Sequence, residues 1–187
     1  MANRNTQGFG LVPAGTLGQT PSTSGTGKYK IDAGYATTIC QGGAVSSSAG
    51  YIVEGQGTAD NPMVGVLNVI FYNAATTLKP TFSNHYFQVT PANSEDIDAF
   101  VFDNPQQQYV VATDAAVAQS GYLETYDMNA SAGSTTTGRS SSTLDIGDTS
   151  ADAAAFRLLR SAEDPKNDEN AAFRSVVVCL NLIELQS

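Results

Sequence analysis

Two short apolar runs, residues 99–102 (AFVF) and 109–112 (YVVA), flank Asp103-Asn104-Pro105 near the middle of a 187-residue chain. β-Branched and aromatic residues favour strands, and an Asp-Asn-Pro cluster stops one strand and begins a turn. The pattern predicts a β-hairpin or a sharp strand-to-strand corner. Residues 51–54 (YIVE), 86–90 (YFQVT) and the period-two stretch 121–128 (GYLETYDM) also read as strands. Residues 63–72 (MVGVLNVIFY) form the strongest apolar run, and their composition between two loop signals favours a buried strand over a helix. Gly65 inside that run marks a bulge or a close backbone approach. Residues 175–185 (SVVVCLNLIEL) read as a closing strand, buried on both faces at first and alternating later.

The one helix candidate is residues 151–160 (ADAAAFRLLR). Its alanines favour helix, but Phe156, Leu158 and Arg160 suit a strand, so the reading is a strand over 155–161 after one helical turn. Seven to nine strands with very little helix predict an all-β fold, a compact antiparallel β-barrel or sandwich-like domain.

The polar positions divide the chain. In residues 15–28 (GTLGQTPSTSGTGK) eleven of fourteen are Gly, Ser, Thr or Pro, which neither nucleates a helix nor buries a core. Residues 1–28 are therefore expected as an extended N-terminal arm and 29–187 as the β-rich core domain. Phe9, Leu11 and Val12 give the arm an apolar tip, expected to dock on a neighbouring subunit. On that expectation, removing residues 1–28 leaves a folded domain that no longer binds. Residues 131–143, eleven of thirteen Ser, Thr or Gly, read as a mobile loop or solvent-facing connector.

Composition narrows the function classes. A net charge of −9 with scattered lysines and arginines argues against nucleic-acid binding, which needs a basic face. No stretch approaches the roughly 20 apolar residues of a membrane span, and the N-terminal residues lack the apolar core of a signal peptide, so folding in a cytoplasm is expected. Charged residues are only 14% of the chain against the usual ~25%. The surface is accordingly a hydrogen-bonding one. Cys40 and Cys179 lie in apolar contexts and are expected as small buried hydrophobes rather than a disulfide.

Candidate chemistry is sparse. His85 has no G-x-S-x-G nucleophile elbow to serve. Gly25-Thr26-Gly27-Lys28 looks phosphate-binding, but Tyr29 stands where a Ser or Thr must hold magnesium. Glu95, Asp96, Asp98 and Asp103 cluster, and carboxylate pairs cleave glycosides. With no Trp to form a sugar platform they read as charges that blunt a strand edge. Residues 164–170 space oxygen ligands as a calcium loop does, without its glycine and terminal glutamate. Asn129-Ala130-Ser131 is a glycosylation sequon, relevant only on secretion. No enzyme, cofactor or metal site is expected.

Three stretches resemble head decoration (cement) proteins of tailed bacteriophages. They are residues 98–105 followed by 108–111, the closing 174–183, and Met1-Ala2-Asn3 leading through an extended segment to Lys28-Tyr29-Lys30. Together they span about half the chain, while the 131–143 loop departs from that family in being longer and plainer. The resemblance implies a virion structural protein, assembled in the host cytoplasm and clustered as homotrimers on the capsid exterior. There it would bridge neighbouring major capsid protein subunits, with Phe9, Leu11, Val12 and Leu17 of the arm as capsid contacts. The alternative is a virion-surface module for carbohydrate binding or host attachment. A small hydrolase using Asp96 and Asp98 is the third reading.

Overall fold

A computed structural model describes residues 5–18, 25–89, 91–131, 133–147, 154–168 and 170–181. The strands in chain order begin with β1 (Val12–Thr16), β2 (Gly27–Ile31), β3 (Ile39–Cys40), β4 (Ala44–Ser48), β5 (Tyr51–Glu54), β6 (Gly65–Asn73), β7 (Pro80–Ser83) and β8 (His85–Tyr86). They continue with β9 (Ile97–Phe102), β10 (Gln107–Ala112), β11 (Thr125–Tyr126), β12 (Met128–Asn129), β13 (Thr143–Leu144), β14 (Phe156–Ser161) and β15 (Ser175–Leu180). Helix is confined, among the described residues, to two 3₁₀ turns, Ala92–Ser94 and Gln119–Gly121. The all-β expectation holds.

One sheet has the order β1-β10-β15-β14-β11 and another β2-β9-β6-β4-β5, with β7 added to the outer half of β6. Both are antiparallel throughout. The pairs β12-β13 and β3-β8 complete the fold.

The central Asp-Asn-Pro element is therefore a corner and not a hairpin, because β9 and β10 belong to different sheets. Asn104 makes the turn twice over. Its side-chain Oδ1 accepts from the Gln106 N–H (2.9 Å) and its carbonyl from the Gln107 N–H (3.0 Å). The Tyr109 hydroxyl then donates back across the corner to the Phe102 carbonyl (3.1 Å).

Alternation along the strands builds two cores. Tyr109, Val111, Phe156, Leu158, Val176 and Val178 face the first, which takes Ala44 and Val66 from the second sheet and Met63 from just ahead of β6. The other face of that second sheet buries Ile31, Val45, Leu67, Ile70, Ile97, Ala99 and Val101, with Ile39 and Tyr86 over them. Adjacent Val66 and Leu67 thus point into different cores. A bulge between Leu67 and Val69 then resets the alternation. Gly65 is required by a close approach: a Cβ there would collide with the Phe102 carbonyl.

Some expected elements change. Of the described residues 86–89 only Tyr86 is in a strand, residue 90 lying outside those described, and the stretch 121–128 divides into a 3₁₀ turn and the two short strands β11 and β12. The helical turn expected before β14 falls mostly on residues outside those described. β15 is buried on both faces as expected, whereas 182–185 lie outside the described residues.

The largest change concerns the N-terminal arm. Residues 12–16 are the edge strand of the five-stranded sheet, paired to β10 in their own chain. Leu11 is 2% exposed in the first core, and the boundary at residue 28 cuts through β2. Removing residues 1–28 would thus strip a core leucine, an edge strand and the start of β2 from the domain. Leu11→Ala should lower stability in urea by about 2–5 kcal/mol, as for a core leucine. Val12→Ala, on the exposed side of the same strand, should cost about 0.5 kcal/mol or less. Equal, negligible losses would mean that the segment is only tethered.

Candidate interaction surfaces

Residues 8–11 pass between two segments of their own domain. The Leu11 N–H donates to the Gly42 carbonyl (2.8 Å) and the Gly10 N–H to the Ser142 carbonyl (3.2 Å). Gly8 and Gly10 are needed for this passage. A Cβ on Gly8 would overlap the Ser141 carbonyl, and Gly10 has φ +73° with the Gly42 carbonyl against it. Farther on, the Leu17 N–H donates to the Gln106 carbonyl (2.8 Å) and Gln107 Nε2 to the Gly15 carbonyl (2.7 Å).

The serine-rich run is half of this bearing, which its composition concealed. Ser140 and Ser142 are buried, and their hydroxyls are joined to each other (2.9 Å). The Ser142 hydroxyl also accepts from the Ser131 N–H (3.0 Å). Hydroxyl groups that look solvent-facing in the sequence are consumed inside.

Beside the threaded segment lies an open cleft of ≈ 170 Å³ lined by Phe9, Leu11, Val12, Leu67, Phe102 and Arg139. Of the expected arm contacts, Leu11 is core, Phe9 and Leu17 are half-buried, and Val12 is 41% exposed. Phe9, Leu11 and Val12 meet at the cleft, and Leu17 does not line it.

A second surface is the outward face of the six-stranded sheet. Past the bulge, Val69 pairs with Phe100 and Phe71 with Asp98, opposite in direction to buried Ile70 and Ala99. Phe71 also faces Phe82 of β7, ring centroids 4.8 Å apart, and Phe82 is 67% exposed. Nearby in the chain, Leu78 and Phe87 are exposed, Phe87 stacked on His85 (5.3 Å). On the far side of β9, Lys28 and Lys30 clamp Asp98 from β2, at 2.7 and 2.6 Å.

The four clustered carboxylates are distributed to separate tasks. Asp96 precedes β9 and accepts from the Tyr51 hydroxyl (3.1 Å). Asp103 accepts from the Tyr29 hydroxyl (2.7 Å), and burial together with that bond pushes the Tyr29 phenol up to about 12. Glu95 is exposed. Asp98 lies mid-sheet, since β9 runs between β2 and β6, and so it does not blunt an edge. Burial opposes its charge, but hydrogen bonds from Lys28 and Lys30 outweigh this and hold the carboxyl below its ordinary value.

The other candidates are local structure. Lys28 of the glycine-rich Gly25–Lys28 stretch is spent on Asp98. Asp164 and Asp168 cap their own loop, accepting from the Lys166 and Asn170 N–H groups (both 3.0 Å). Asn167 was missed in the sequence: it clamps β15 by donating to the Ser175 carbonyl (2.8 Å) and accepting from the Ser175 N–H (2.9 Å). His85 Nδ1 lies 3.1 Å from Asn84 Oδ1 and 3.4 Å from the Ser83 hydroxyl. Cys40 and Cys179 are buried without a disulfide between them, and burial raises both thiols. Among the described residues no three His, Cys, Asp or Glu side chains come together as a metal site.

Comparison of the chain with protein-family models, curated proteins and solved structures finds no match to any of them.

The clamp sets a pH dependence. Because the folded carboxyl of Asp98 titrates below its unfolded value of about 3.9, its contribution is present above that value and is lost as pH falls through the folded one. The raised Lys30 ammonium adds stability below about pH 10.4, lost as pH rises through its folded value. Both lysine side chains are more than half exposed, at 56% and 51%, so each pair contributes about 1 kcal/mol or less. Asp98→Asn should flatten this part of the acid limb in urea titrations from about pH 7 to 3. An identical acid limb in the variant would contradict the clamp.

Proposed function

We propose that this chain is a non-catalytic structural protein of a phage virion, binding the outer face of the capsid and cementing neighbouring major capsid protein subunits. The observation that carries the reading is Phe82, paired with Phe71 on a sheet face that its own fold leaves uncovered. Exposed aromatic groups gathered on a rigid sheet are a binding device, since their burial against a partner is favourable by about 25 cal/mol per Å². The nearby carboxylates support the same reading. Asp96 and Asp103 accept from tyrosines and Asp98 is clamped between lysines, so these three are engaged in holding strands in place. The three stretches that resemble cement proteins supply the capsid as the partner. Capture of several copies on one shell would multiply a modest contact into firm attachment.

The test is co-sedimentation with empty shells of the virion that carries the chain. Phe82→Ser should leave stability within about 1 kcal/mol and weaken binding at least about tenfold. Full binding by this variant would remove the sheet face from the contact. Binding of the isolated protein to a glycan array with no affinity for shells would favour the host-attachment reading instead.

A further inference from the structure

The five-stranded sheet carries two features at its opposite edges that fit each other. At the β1 edge is the ≈ 170 Å³ cleft, with apolar walls from Phe9, Leu11, Val12, Leu67 and Phe102 and with Arg139 at its lining. Arg139 is exposed and, among the described residues, carries no ion pair. At the β11 edge, immediately before Thr125, stand Leu123 and Glu124. Leu123 is 62% exposed, and exposed Glu124 likewise has no ion pair among the described residues.

Leu123 is held out deliberately. Its φ is +68°, a left-handed conformation that is strained for a branched side chain. Two bonds impose it: the Leu123 N–H donates to the Leu158 carbonyl (2.8 Å), and Arg157 Nη1 donates to the Leu123 carbonyl (2.9 Å). A strained, exposed leucine fixed at both of its backbone polar groups is a preorganised knob. An apolar cavity of about 150 Å³ holds a benzene ring, so the cleft accepts an isobutyl group with room to spare.

We propose that Leu123 and Glu124 of one copy seat in the β1-edge cleft of the next, the leucine in the apolar hole and the carboxylate against Arg139. Charge complementarity selects this occupant. The other exposed leucine, Leu78, adjoins Lys79 and would place like charge against Arg139. Because knob and hole lie at opposite edges of one sheet, the contact is head-to-tail. Such a contact closes into a ring when the rotation per copy allows and otherwise extends as an open chain. This deepens the capture of several copies in the reading above and rests on that part of it alone, since no capsid is needed for the contact to form.

Light scattering of the purified chain across a concentration series tests it. Wild type should associate, and Arg139→Glu and Leu123→Gly should each weaken association at least about tenfold. The double variant Glu124→Arg with Arg139→Glu should recover it. Leu123→Gly guards against misfolding as an explanation, because glycine accepts positive φ without strain and the monomer should unfold no earlier than wild type. A wild-type monomer at all concentrations, association untouched by Leu123→Gly and Arg139→Glu, or failure of the charge reversal to rescue would each overturn the contact. Shell binding by chains that stay monomeric would sink this contact and spare the capsid reading. Intact association without shell binding would do the reverse.

Discussion

Everything at the β1 edge depends on the passage of residues 8–11 between the Gly42 turn and the segment Ser140–Ser142. Two residues without side chains permit it, and two backbone hydrogen bonds hold it. Once through, Leu11 reaches the first core, where full burial of a leucine is worth about 1.5–3 kcal/mol. Hydrogen bonds alone, at about 0.5–1.5 kcal/mol each, would not outweigh the entropy of ordering the segment. The leucine and the β1–β10 ladder add to them. The cleft beside β1 is a product of the same passage, since Phe9, Leu11 and Val12 form one of its walls.

The division of labour between interior and surface follows from where polar groups are spent. Of the carboxylates that cluster in the sequence, Asp96 and Asp103 are engaged by tyrosines and Asp98 by two lysines, while Glu95 is exposed. The serines of the 139–142 segment satisfy one another and the N-terminal segment. Apolar groups also stay at the surface, Phe82 on its sheet face and Leu123 at its positive φ. Exposed apolar groups held rigidly bring the chain no stability of their own. The proposed assembly and capsid roles rest on them.

Much of the strand pattern was legible because alternation and β-branching report burial directly. Tyr51–Glu54 emerges with its expected bounds, and the run beginning at Met63 becomes β6. Legibility ended where one signal serves two geometries. An Asp-Asn-Pro turn fits a hairpin or a corner, and only the packing of β9 and β10 into different sheets decides between them. The N-terminal segment misled because Gly, Ser and Thr look alike in a tether and in a tight slot. β7 escaped notice because Pro80-Thr81-Phe82-Ser83 lacks an apolar run and forms by pairing with β6. Leu123 gave no sign at all, since its importance lies in a backbone angle set by residues 34 and 35 positions away.

Electron cryomicroscopy of phage shells mixed with this chain tests the proposed capsid role most directly. The account expects clusters on the exterior, with the Phe71–Phe82 face laid against capsid subunits and each Leu123 seated beside β1 of its neighbour. Isolated copies, or clusters with Phe82 turned to solvent and the β1 cleft vacant, would contradict it.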